Sequence, residues 1–239
     1  MKQRLKGRKA GGGALRAAAV AVLALIAGTT AAGAYRYEAT SVRTISLEGA
    51  RMLVVESASG NITVAGDAGR GDIEVRITKH VRADSEERAG EIAEGMEVVV
   101  TRSGEALKLE TEYPQKGRVR RSIFSLILEK GESMRIDLVI AVPPALAVDL
   151  SSASGNVAVS LLEGDVKVSS ASGNVTVREI GGAALVSVAS GSIDVSEIGG
   201  GVALSSASGN ISARGVGGDA DIKAASGNVS LGGIEGALM

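Results

Sequence analysis

The feature that most restricts how this chain can fold is a repeat of 18 residues in its second half. A glycine recurs at this interval in Ser-Gly-Asn, or once in Ser-Gly-Ser, and a second glycine series is offset by nine residues. The first series is Gly155, Gly173, Gly191, Gly209 and Gly227, and the second is Gly164, Gly182, Gly200, Gly218 and Gly236. Tandem repeats of this length predict stacked units, here coils of two half-coils that each open at a glycine turn.

Between the turns, aliphatic residues alternate with small or polar ones, which indicates short strands with one buried face. Five columns are expected inside: Val157/Val175/Ile193/Ile211/Val229, Val159/Val177/Val195/Ala213/Leu231, Leu162/Ile180/Ile198/Val216/Ile234, Val166/Ala184/Val202/Ala220/Leu238 and Val168/Val186/Leu204/Ile222. Stacking the strands about 4.8 Å apart would join these columns into one aliphatic ladder. The sequence therefore predicts an all-β chain whose residues 151–239 form a single-chain β-solenoid (β-helix) with 18-residue coils.

The positions between these columns are expected to face outward, Ser196 among them. Four asparagines follow the turn glycines at the repeat interval: Asn156, Asn174, Asn210 and Asn228. Their amides are expected to hydrogen-bond along the stacking axis as a ladder. Ser192 is the one gap in that ladder.

Residues 35–150 are less regular, and we expect a β-rich portion that starts the solenoid and contains one short helix. The segment 59–64 is an early copy of the repeat, and the segment 71–77 resembles its partner half-coil. The helix is predicted from Asp84 to Glu94, with Asp84 and Glu87 in a capping box. Ala89, Ile92, Ala93 and Met96 would form its apolar stripe.

The first 34 residues are typical of a secretory signal. Six basic residues and no acid precede an apolar stretch from Ala17 to Ala27, and Ala32-Gly33-Ala34 resembles a cleavage site. An uncleaved N-terminal anchor is the alternative, because the apolar region is borderline for spanning a bilayer. Both predict an extracytoplasmic protein in the periplasm, at the cell surface or secreted. Cleavage would leave 20 basic and 27 acidic residues, a charge of 20 − 27 = −7, which argues against nucleic-acid binding.

Several of these elements occur together in one known family. A leading Ser-Gly-Asn-Ile-Thr-Val at 59–64, an acidic helix, the Val142-Pro143 step and the tandem Ser-Gly-Asn-Val coils resemble the bacterial "putative adhesin" β-solenoid family of unknown function. The resemblance covers roughly residues 45–239. It implies an exported or envelope-associated protein without established catalytic residues, so no site residue is transferred.

The candidate chemistry in the sequence is sparse, and we predict no enzyme, no catalytic residue, no cofactor and no metal site. His80 is the only histidine and is expected to be solvated or locally paired. Four glutamates at helix spacing, Glu86, Glu87, Glu91 and Glu94, indicate a solvated face. A calcium-binding nonapeptide roll needs an aspartate in each turn, whereas Asp165 and Asp219 alternate with Ala183 and Gly201.

The function predicted from these observations is that of an exported structural or adhesion-type envelope protein whose partner is a protein or envelope component. One alternative is a scaffold that stacks end to end through its C-terminal coil, which ends at Leu238-Met239 without a polar cap. The other is a glycan-active β-helix enzyme, although residues 151–239 contain no aromatic platform for sugars. Membrane contact is expected only through an uncleaved N-terminal segment or the basic-apolar stretch 116–130.

Overall fold

A computed structural model describes residues 18–23, 35–114 and 131–239 and shows an all-β chain with one helix. In chain order the elements are β1 Ala18–Leu23, β2 Tyr35–Ser46, β3 Met52–Ser57, β4 Ile62–Gly66, β5 Asp72–Ala83, α1 Glu86–Glu94, β6 Glu97–Ser103, β7 Ala106–Glu112, β8 Ser133–Val142, β9 Ala147–Ser152, β10 Val157–Leu162, β11 Val166–Ser172, β12 Val175–Ile180, β13 Ala184–Ser190, β14 Ile193–Ile198, β15 Val202–Ser208, β16 Ile211–Val216, β17 Ala220–Ala224 and β18 Val229–Ile234. The predicted stretch 116–130 and most of the predicted N-terminal segment lie outside the described residues.

The strands form two mixed sheets. Sheet A has the order β1-β2-β5-β8-β4-β10-β12-β14-β16-β18, and sheet B has the order β17-β15-β13-β11-β9-β3-β7-β6. From β9 onward successive strands alternate between the sheets, and each pairs in parallel with the strand one repeat later. Val157 thus pairs with Val175, and Val166 with Ala184. The predicted all-β class is confirmed, and the 18-residue interval of the sequence is the register of both sheets.

The aliphatic columns face inward and form one buried cluster. In the first four repeats every member except Ile222 is buried, Ile222 is partly buried, and Val195 and Val177 have no exposed surface. The last repeat differs from the prediction, since Val229 is 45% and Leu238 is 59% exposed. The reason is that β17 and β18 are the final strands of their sheets, so no further strand covers these side chains in the described part of the chain.

One further position of each repeat, just before the inward Leu162 column, has a left-handed backbone conformation. The residues at this position have φ between 54° and 63° and are Leu161, Glu179, Glu197, Gly215 and Gly233. The strand register skips this position: Ser160 pairs with Arg178 and Leu162 with Ile180. The left-handed residue turns the chain, so that the next side chain points inward although it is three residues after Val159. This explains the one step of the pattern that departs from strict alternation.

The two glycine series have different causes. The first adopts positive φ, from 122° at Gly173 to 140° at Gly191, as a turn residue without a side chain can. The glycines of the second series have no left-handed φ, so the two turns of a coil differ in backbone conformation. These glycines are needed because neighbouring coils approach closely: a Cβ on Gly182 would lie 2.8 Å from the carbonyl carbon of Gly164.

The N-terminal portion departs from sequence order. In sheet B, β3 lies between β7 and β9. In sheet A, β4 lies between β8 and β10. The proposed partner half-coil at 71–77 is wrong, because this segment belongs to β5, which pairs antiparallel with both β2 and β8. The half-repeat that accompanies β4 is β3, which precedes it in the chain.

The helix covers one end of the buried cluster. It begins at Glu86, not at Asp84, because Ser85 is the N-cap and its hydroxyl oxygen accepts a hydrogen bond from the backbone N–H of Arg88. The predicted capping box is therefore wrong. The apolar stripe is confirmed, since Ala89, Ile92, Ala93 and Met96 are all buried, and α1 packs against β2 and β5.

At the N-terminal edge of sheet A, β1 pairs antiparallel with β2. Cleavage after Ala34 would remove β1 and leave β2 as the edge strand. Within the described residues, no helix has the length and apolar character that a membrane span requires.

The asparagine ladder is present and extends further than predicted. Asp137 starts it by accepting the N–H of Asn61, and Asn61 accepts the N–H of Asn156. Asn156 and Asn174 accept from the residues one repeat later, and the series resumes where Asn210 accepts from Asn228. Each side-chain oxygen thus joins two adjacent coils at the turn.

Ser192→Asn is expected to close the gap in this ladder and raise the free energy of unfolding by about 1 kcal/mol. The new amide oxygen would accept the N–H of Asn210, which has no acceptor in the described residues. Urea unfolding at unchanged m-value measures the gain. The matched variant Asn174→Ser removes the acceptor of Ser192 and should lose a similar amount; equal midpoints for both variants would contradict the ladder.

Candidate ligand-contact groove

A shallow groove of about 1170 Å³ runs across the ends of the sheet B strands. It crosses β7, β3, β9, β11, β13, β15 and β17. Serine and alanine, with one valine, line its central part, and we name it the Ser/Ala groove. The lining residues there are Ser151, Ser152, Ala153, Ser169, Ser170, Ala171, Ser187, Val188, Ala189, Ser205, Ser206 and Ala207. Because each repeat contributes the same three positions, the groove follows the stacking direction.

The middle position of each triplet is buried and continues the inward face of the strand. Ser152, Ser170, Val188 and Ser206 are 2–6% exposed. The column was not predicted from the sequence, because serine at three of its positions is typical of an outward residue. Val188, two residues after the inward Val186, is the signal that could have revealed it.

The hydroxyl groups of the groove differ in their bonding. Ser205 and Ser187 share a hydrogen bond of 3.0 Å across adjacent strands, and Ser170 donates to the carbonyl of Ser172. The buried hydroxyls of Ser152 and Ser206 have no hydrogen-bond partner within the described ranges. The groove thus combines alanine methyl groups, a row of exposed or half-buried hydroxyls, and buried hydroxyls that have no hydrogen-bond partner among the described residues.

Among the described residues, charged groups of the groove lie only near its two ends. At one end Lys108 Nζ lies 2.8 Å from Glu56 and 3.0 Å from Glu110. The pKa of Lys108 is raised, first by its hydrogen bond to Glu56, and burial only partly opposes this effect. At the other end Lys223 pairs with Asp221 at 2.7 Å. Since these charges pair with each other, the groove offers an extended ligand mainly hydroxyl and methyl contacts.

His80 lies elsewhere, on the outer face of sheet A. Its Nδ1 is 3.3 Å from Glu38 Oε2, and its Nε2 is 2.9 Å from Asp137 Oδ2. The expectation of a locally paired histidine is confirmed. His80 therefore links β2 and β8 through β5, at the head of the asparagine ladder.

The other acidic groups considered from the sequence have structural contacts or face solvent. Glu86, Glu87, Glu91 and Glu94 are exposed on α1, as expected. Asp165 accepts the N–H of Ala183, and Asp219 accepts that of Ala237. These carboxylates bridge successive coils at the second turn. Over the ranges that the structure describes, no three His, Cys, Asp or Glu residues are grouped as metal ligands would be.

Comparison with known proteins adds three similar structures. No protein-family model matches the chain, and no curated protein does. A "putative cell adhesion protein" from Clostridium sporogenes is 12% identical, with 84% of this chain and 99% of that chain covered and a TM-score of 0.41. A "putative adhesin" from Bacteroides fragilis is 12% identical, covering 81% and 96%, with a TM-score of 0.39. A "putative lipid binding protein" from Parabacteroides distasonis is 14% identical, covering 84% and 96%, with a TM-score of 0.30. Membership of the adhesin family named above stays a prediction.

Proposed function

We propose that the two sheets are faces of one β-solenoid, and that this solenoid is an exported, non-enzymatic envelope protein of structural or adhesion type. The observation that carries the proposal is the unbroken register of sheet B, in which each repeat from β9 to β17 pairs without a shift. Such stacking makes a rigid support whose surface repeats along its length.

The contact surface in this proposal is the Ser/Ala groove. Its seven strands span about 29 Å at about 4.8 Å for each of six steps. Repeated methyl and hydroxyl positions at constant spacing favour an extended partner that lies along the groove. The partner is a protein or envelope component, which the solenoid would hold through many weak contacts.

Ala189→Arg tests the groove. A long charged side chain in its middle should lower binding of the purified protein to isolated envelopes and whole cells at least ten-fold, because it blocks contacts on both sides. The matched control is Ser212→Arg, which adds the same charge on the outer face of sheet A beside Asp194. Labelled-protein binding curves measure both. Equal binding by the two variants would contradict the groove as the contact surface.

Location and chemistry are tested separately. Cell fractionation with sequencing of the mature N-terminus should place the protein outside the cytoplasm, and a fully cytoplasmic pool would overturn the proposal. Incubation with envelope and host polysaccharides should release no new reducing ends. Their release would favour the glycan-active alternative.

End-to-end stacking is the second candidate, favoured by the exposed Val229 and Leu238 beside the edge strands β17 and β18. Unpaired strand edges with apolar side chains are sites for strand pairing between molecules. Mass measured over a range of protein concentrations should then show oligomers that grow with concentration. A monomer throughout would remove this candidate.

A further inference from the structure

Three arginines, Arg36, Arg76 and Arg82, stand out because nothing in the described ranges pairs with them. They have neither an ion pair nor a hydrogen bond there, whereas every other described Lys and Arg side chain has one. All three are exposed, and all three lie on β2 and β5. Free basic side chains are therefore concentrated on one part of the molecule.

The strand register places them on one face. Arg36 lies directly opposite Arg82, and His80, two residues from Arg82, lies opposite Arg135 of β8. Arg135 is 54% exposed. Like charges directly opposite each other destabilise an antiparallel pair. We name the surface of Arg36, Arg76, Arg82 and Arg135 the arginine face.

The acidic residues of the same face are already engaged. Glu38 contacts His80, and Asp137 contacts both His80 and Arg135. Glu74 pairs with Arg70 at 3.1 Å. The guanidinium groups of Arg36, Arg76 and Arg82 therefore have no carboxylate partner among the described residues, although residues 35–239 together carry more acids than bases.

The shape and composition of this face indicate the kind of anion it fits. Arg76 and Arg82 are six residues apart on one strand, about 20 Å at about 3.4 Å per residue. Val139 lies opposite Arg76 and is 51% exposed. Arginines spread along one sheet face beside an exposed valine fit a surface with many phosphates next to apolar chains. Guanidinium groups bind phosphate oxygens in a bidentate manner.

We propose that the arginine face binds the surface of a membrane that contains anionic phospholipids. This surface is on sheet A, whereas the Ser/Ala groove is on sheet B, so the proposal stands whether or not the groove binds a partner. It also differs from the two membrane contacts expected from the sequence, the N-terminal segment and the stretch 116–130.

The test uses the full chain and lipid vesicles. One set is pure phosphatidylcholine, and the other contains about a quarter phosphatidylserine. The double variant Arg36→Ser/Arg82→Ser should bind the anionic vesicles about 30-fold more weakly than the unchanged protein, from about five-fold for each arginine. Binding by the unchanged protein should weaken as salt is raised.

The matched control is Arg178→Ser/Arg214→Ser, which removes the same charge from arginines that pair with Asp194. It should keep most of the anionic binding. The N-terminal segment is the same in the unchanged protein and in both double variants, so any vesicle binding through it is the same for all three. Urea midpoints confirm that the variants are folded. Equal loss in the two double variants, or no loss in either, would overturn the proposal.

An acidic polysaccharide is the competing polyanion. Soluble alginate is the probe for it, measured with the same variants. Binding of alginate that depends on Arg36 and Arg82, without binding to the anionic vesicles, would overturn the membrane proposal in favour of a glycan. Vesicle binding that alginate does not compete away would support it.

Discussion

Gly173→Ala is expected to lower the free energy of unfolding by about 3–5 kcal/mol, a large share of the stability of an ordinary domain. Two effects combine at this position. The backbone has φ of 122°, which a residue with a Cβ rarely adopts. A Cβ there would also lie 2.2 Å from the carbonyl oxygen of Gly155, far inside contact distance.

The clash cannot be relieved locally, because both partners are backbone atoms in a stack. Moving Gly155 away would disturb its contact with Gly60, whose carbonyl oxygen is just as close to the Cβ position of residue 155. The substitution therefore forces adjacent coils apart and weakens their strand pairing. Urea unfolding monitored by circular dichroism measures the effect.

The control for this prediction is Gly232→Ala. Gly232 has no left-handed φ, and within the described residues the only atom near its Cβ position is the flexible Arg214 Cγ at 3.8 Å. Its unfolding midpoint should stay within about 0.5 kcal/mol of the unchanged protein. If Gly173→Ala were as harmless as this control, the close stacking of the turns would be wrong.

The regular half of the fold could be predicted because its interactions repeat. One interval in the sequence determines the turn, the inward columns and the strand partners together, so that Val157 could pair only with Val175 if the turns were to align. The asparagine ladder followed from the same interval. Agreement among turn chemistry, burial pattern and register is what makes such a sequence specify one arrangement.

The N-terminal portion could not be predicted in the same way. β4 lies between β8 and β10, and β3 between β7 and β9, so each contacts strands that are far away in the chain. No interval in the sequence encodes these pairings. The segment 71–77 illustrates the failure, since its alternation predicts a strand correctly but says nothing of its antiparallel partners.

The candidate site was missed for a related reason. Serine at 152, 170 and 206 resembles an outward residue, because burying a hydroxyl is unfavourable without a partner. The repeat places these residues in a column with Val188, but only the structure shows that the whole column is buried. The arginine face was equally hidden, since Arg36 and Arg82 are opposite each other only through the pairing of β2 with β5.

Val195→Asp is expected to prevent folding or to lower the free energy of unfolding by more than about 4 kcal/mol. Val195 has no exposed surface and lies between Val177 and Ala213 in an inward column. A carboxylate there would be buried among aliphatic side chains that offer it neither a hydrogen bond nor an opposite charge. Burial of a charge on these terms is among the most costly single substitutions.

Ser196→Asp, one residue later, is the matched variant. Ser196 faces outward on sheet A, and its register partners on the two adjacent strands are Arg178 and Arg214. A carboxylate at this position is solvated and near two guanidinium groups, so stability should change by less than about 0.5 kcal/mol. Denaturant midpoints of the two variants, measured side by side, report directly on which face of β14 is buried. An equal loss of unfolding free energy in both variants would mean that the strand does not alternate as described. The columns of the whole repeat would then have to be reassigned, because a one-residue slip exchanges the two faces of a strand.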